Sequence, residues 1–66
     1  MKNNLKVLRA KADISQEALS KEIAVSRQTI NAMEKGNYVP STMLALKLAR
    51  FFNIPVEEVF ELEETD

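Results

Sequence analysis

The side chains best equipped for chemistry are Arg27, Gln28, Asn31, Ala32 and Lys35, within the stretch RQTINAMEK. At about 100° per residue, Gln28, Asn31, Ala32 and Lys35 share one side of a helix, with Arg27 on its flank. Ile30 and Met33 fall on the opposite side. Amides, cations and a methyl group are the groups that meet base edges and phosphates in a major groove. A solvated helix face ordinarily mixes Glu with Lys, and this one has no carboxylate. Competing chemistries lack their starting materials. Cys and His are both absent, so there is no thiol or imidazole for catalysis. Carboxylates are the sole side-chain metal candidates, and no loop gathers them. The expectation is a binding protein, with no enzyme activity, cofactor, metal or small-molecule ligand.

Short elements must position that face. In the helix before it, Gln16, Leu19, Ser20 and Ile23 share one side, and small Ser20 lets another helix approach closely. Ser15 and Ser26 each stand one residue before a helix start, where a hydroxyl satisfies unpaired amides. The link Ala24-Val25-Ser26 is too short for anything but a steep crossing, which defines a helix-turn-helix unit over about residues 16–35.

The pattern S-Q-E-x-L-S-x-x-I-A-V-S-R-Q-T-I-N-x-M-E-K-G, followed by Pro40-Ser41 and L-A-L-K-L-A, resembles the Cro/C1-type (Xre-type) helix-turn-helix family. The resemblance covers roughly residues 4–60, and the length suits the family's small stand-alone regulators. It implies an all-α, five-helix, lambda-repressor-like DNA-binding domain, to which a short C-terminal β-strand can be added. It further implies a sequence-specific transcriptional regulator of double-stranded DNA, a repressor that dimerises on a pseudo-palindromic operator. By the same resemblance Gln16 contacts phosphate, and Lys35, Asn37 and Tyr38 form a second backbone clamp. One position departs from the pattern: the turn, usually Gly, is Ala24. A left-handed Ala costs roughly 1 kcal/mol.

Base reading then falls first to Gln28, whose amide can pair with adenine in two places. Arg27 can fork onto guanine or fall back to phosphate, Asn31 comes third, and Thr29 or Ala32 can touch a thymine methyl. Phosphate contacts extend to Ser26 and to the amides around Ser41 and Thr42, at a helix start. Arg9 lies on an apolar stripe with Leu5, Leu8 and Ala12 in a first helix that Asn4 can cap. An unpaired buried cation is expensive. Glu34 is its natural partner, as it is in the family.

Sixty-six residues make one domain, 1–66, near the lower size limit for folding unaided. The net charge of −1 hides a division. All nine Lys and Arg fall within residues 1–50 against four acids, giving +5, whereas 51–66 carry six acids and no cation, giving −6. That acidic end, about 55–66, also holds apolar Val56, Phe60 and Leu62. The alternating E-L-E suits antiparallel pairing with a second copy. We expect Phe51, Val56, Phe60 and Leu62 to form a homodimer interface, with the acids turned away from DNA. Elsewhere Gly36 stops the reading helix, Ser41 caps a fourth, and Pro55 opens a fifth. No apolar run approaches the ~18 residues of a membrane span, and no signal-peptide pattern is present; the expected location is the cytoplasm. The alternative is a protein-interaction module, an antitoxin or adaptor, using the same fold.

Overall fold

Three serines start three helices. In the computed structural model, which describes all residues Met1–Asp66, Ser15 Oγ accepts the Ala18 N–H at 3.0 Å, and Ser26 and Ser41 accept those of Thr29 and Leu44 at 3.1 Å. They open α2 (Gln16–Glu22), α3 (Arg27–Glu34) and α4 (Thr42–Phe52). α1 (Leu5–Ala12) precedes them, and a single turn, α5 (Val56–Val59), follows. The first helix is capped differently from expectation. Asn3, not Asn4, supplies the oxygen, accepting the Leu5 N–H at 3.2 Å, while Asn4 donates its amide to the Glu58 carbonyl at 3.0 Å. Ala12, placed on the inner side by periodicity, is exposed.

Four positive-φ residues turn the chain. Asp13, Asn53 and Gly36 stop α1, α4 and the end of α3 at φ of 53°, 57° and 78°. Asp, Asn and Gly are the residues that tolerate this region. Ala24 adopts φ 58° in the turn between α2 and α3, so the strained turn expected from sequence is present.

A strand does form at the C-terminal end, with its partner in the same chain. β1 (Lys2–Asn3) and β2 (Phe60–Glu61) run antiparallel, pairing Lys2 with Glu61 and Asn3 with Phe60. One edge of this end is thus paired within the chain, by the N-terminal strand. Beneath these elements lies a core of Leu5, Leu19, Ile23, Ile30, Met33, Leu44, Leu48, Ala49 and Val59, drawn from all five helices and the turn. Ser20 is buried among them, its hydroxyl donating to the Glu17 carbonyl at 2.6 Å. α2 and α3 pack most extensively on each other. No helix is long and apolar enough to cross a membrane.

Candidate nucleic-acid interface

Ile30 and Met33 are both fully buried, and they set the rotation of α3. Each buried side chain of this size contributes roughly 1.5–3 kcal/mol, so turning the helix would lose both. Arg27, Gln28 and Lys35 are consequently exposed, while Thr29, Asn31 and Ala32 are half-buried along the edges of the same face. The structure thus brings the sequence-predicted base-reading residues onto one helix. Thr29 is partly occupied: its hydroxyl lies 2.9 Å from that of Ser26, whose oxygen also caps the helix. Ser26 thus spends oxygen lone pairs on the cap, while its O–H hydrogen either meets Thr29 or stays available for a phosphate.

Behind α3 lies an ion pair joined to two amides. Arg9 donates from Nε and Nη2 to the two oxygens of Glu34, the latter at 2.9 Å, and from Nη1 to the Ile14 carbonyl at 3.1 Å. Its pairing with Glu34, expected from the sequence, is seen here as a two-pronged contact. Burial pushes the Glu34 carboxyl up. The hydrogen bonds from Arg9 and Gln16, together with the Arg9 charge, outweigh that and hold it below the usual carboxylate range. The bond to Glu34 holds Arg9 more firmly in its charged form.

Gln16 joins this cluster rather than standing free at the surface. Its amide nitrogen donates to Glu34 Oε1 at 3.0 Å and to Asn31 Oδ1 at 3.2 Å, so both its N–H groups are engaged inside the chain. Nothing in the sequence pattern announced the link to Asn31, because it depends on the angle at which α2 crosses α3.

The remaining candidates surround the reading helix. Asn37 and Tyr38 are exposed in the loop after Gly36, beside Lys35. Ser41 spends its hydroxyl on Leu44, which leaves the Thr42 and Met43 N–H groups at the start of α4 without helical partners. Sequence reasoning missed Asn3, whose side-chain amide donates to the Met33 carbonyl at 2.6 Å and ties the N-terminal strand to the end of α3. The acidic end lies nearer this loop than expected. The Met1 ammonium, 3.3 Å from Glu63 and 3.4 Å from Asp66, stands between them, and the Met1 carbonyl borders Gly36.

The apolar candidates separate. Val56 and Phe60 line a shallow recess of about 280 Å³ with Pro40, Ala45 and Leu46, and Leu62 lies two residues beyond, 77% exposed. Phe51 lines a different recess, with Ile23, Ala24, Lys47 and Arg50, and stacks edge-on against Phe52 at 5.0 Å.

Known proteins resemble this chain. An uncharacterised HTH-type transcriptional regulator of Bacillus subtilis, YgzD, is 53% identical over 64 residues, 97% of each chain. The cryptic phage CTXphi transcriptional repressor RstR of Vibrio cholerae is 33% identical over 97% of this chain and 58% of its own. The solution structure of the SOS-response transcriptional repressor LexA from Eubacterium rectale superposes with a TM-score of 0.81 at 33% identity, covering 96% of this chain and 67% of that one. Residues 5–59 match the helix-turn-helix family throughout the five helices, and with α2 and α3 packed so that α3 presents a carboxylate-free face, the chain belongs to the Cro/C1-type helix-turn-helix transcriptional regulators.

Proposed function

We propose that this protein is a repressor that binds a pseudo-palindromic operator as a homodimer, in the cytoplasm, with α3 in the major groove. The observation that carries the reading is the outward face of α3, where Gln28, Arg27 and Lys35 are exposed opposite fully buried Ile30 and Met33. Gln28 and Arg27 read bases, with Asn31, Thr29 and Ala32 at the edges. Phosphates are held by Lys35, Asn37, Tyr38 and the α4 amides of Thr42 and Met43. The Gln16 donors are spent internally, so Gln16 meets a phosphate only through its backbone N–H at the start of α2.

Size argues for two copies. α3 has eight residues and is about 12 Å long, enough for a few base pairs. The whole chain is 31 Å in its longest dimension, short of the ~34 Å between half-sites one helical turn apart. Specificity from so small a footprint is low unless two copies act together. The recess lined by Leu46, Val56 and Phe60, with exposed Leu62 two residues further along the chain, is the surface best suited to join them.

Gln28→Ala should weaken specific binding by about 1–3 kcal/mol and leave binding to random duplex nearly intact. Lys35→Ala should weaken both and reduce the salt dependence. Titrations on selected and random duplexes across a salt series distinguish the two. Equal losses on both duplexes from Gln28→Ala would show that the helix is oriented differently. A stoichiometric protein partner with no retained DNA would favour the adaptor role instead.

A further inference from the structure

A trough of about 810 Å³ runs between α1 and the chain that leads from the end of α4 into α5, and no residue of α3 borders it. Its long wall is one stripe of α1. Asn4, Val7, Leu8, Lys11 and Ala12 border it, spaced i, i+3, i+4, i+7 and i+8 over about 12 Å. Val7 and Lys11 stand about 160° and 200° around the helix from Arg9, the residue that reaches Glu34 on α3. α1 therefore serves the reading helix with one side and presents this stripe with the other. Val7 is 53% exposed and Ala12 is exposed, so the core leaves these apolar positions uncovered. Half-buried Phe52 and Ile54 face them across the trough, with Glu57 and Glu58 on the α5 wall.

We propose that this trough docks an amphipathic helix of a partner protein, its apolar stripe edged by Lys or Arg. A wall built from one helical stripe suits a second helix laid along it, because side-chain ridges then meet grooves of the same spacing. The charge of the partner follows from the other wall. Glu57 and Glu58 form no ion pair within the chain, and residues 51–66 carry six acids and no cation. A basic edge finds complementary charge there and is steered toward it, whereas an acidic edge is repelled. The trough shares only Glu57 with the recess of Val56 and Phe60. Neither a second copy on that recess nor DNA on α3 would cover its apolar floor, so the docking surface is separate from both.

A synthetic helix of about 14 residues, with leucines at i, i+3, i+4 and i+7 and lysines elsewhere, is the probe. Titrated into the full chain, it should shift the methyl resonances of Val7, Leu8, Ala12 and Ile54 and leave those of Leu46 and Leu62 in place. Glu57→Gln combined with Glu58→Gln should weaken binding about tenfold and flatten its salt dependence. Should that variant lose its fold, Val7→Ser decides. It changes an exposed side chain and should cost about tenfold in peptide affinity, with melting temperature and duplex binding unchanged. Equal binding of a glutamate-for-lysine peptide, or of a scrambled peptide of the same composition, overturns the proposal. So do shifts confined to Leu46 and Leu62, or a loss of duplex binding in Val7→Ser. Shifts of the trough methyls on concentrating the protein alone would make the occupant a second copy. An alkylamine that binds there as tightly as the peptide would make it a small molecule. Either result overturns the proposal as well.

Discussion

Arg9 and Glu34 show how much a single pair of residues can hold in a small domain. Their side chains are only 16% and 6% exposed, and removing one leaves the other buried without its charge partner. Arg9→Met or Glu34→Ala should each cost about 3–5 kcal/mol, with the double variant recovering part of the loss. Thermal or urea unfolding of the four proteins measures it, and small independent effects would contradict it. The pair also fixes an acid limit. Because the folded Glu34 carboxyl lies below its ordinary value of 4.5, its contribution is fully present above that value and is lost as pH falls through the lower, folded one. Glu34→Gln, although less stable at neutral pH, should therefore lose stability less steeply than the wild type below about pH 4.5. This pair was legible because a cation on an apolar stripe demands a partner. The Gln16–Asn31 contact was not, since an amide can be satisfied by water and demands nothing.

At the scale of the element, the three serine caps and the turn at Ala24 were readable because each depends on residues within three or four of itself. The turn makes a separate prediction. Ala24→Gly should remove a left-handed penalty of roughly 1 kcal/mol, partly offset by the greater freedom glycine gives the unfolded chain. A net gain of a few tenths to about 1 kcal/mol is expected from unfolding midpoints. Since Ala24 is exposed, no lost packing should intrude. What the sequence could not show were elements made by distant partners. β1 is two residues long, too short for any alternation, and exists because Phe60 and Glu61 lie beside it. Its presence moved the α1 cap from Asn4 to Asn3, as Asn4 was drawn to the Glu58 carbonyl.

For the molecule as a whole, the open question is how two copies would meet. Phe60 is half-buried and packs on the core, so its replacement would compromise the fold together with any interface. Leu46→Ser combined with Leu62→Ser changes exposed side chains at 56% and 77% exposure. It should leave the melting temperature nearly unchanged, shift sedimentation toward the monomer, and lower operator affinity steeply. A wild type that sediments as a monomer yet binds a palindrome tightly would place dimerisation on the DNA instead. The N-terminal strand adds a constraint on this assembly. Asn3 pairs through its backbone with Phe60 and through its side chain with the Met33 carbonyl, which also accepts the Gly36 N–H at 2.9 Å. The C-terminal strand and the last turn of α3 are thereby joined through one residue, Asn3. Amide exchange at Gly36 and Asn37 should be as slow as in the helix interior, and Asn3→Ala should speed it there while leaving α4 protected. If two copies join through the Phe60 side, that same turn should become more protected as protein concentration rises. Pairing of two copies on the Phe60 side and binding of DNA by α3 would then be thermodynamically linked, each changing the affinity of the other by the same factor.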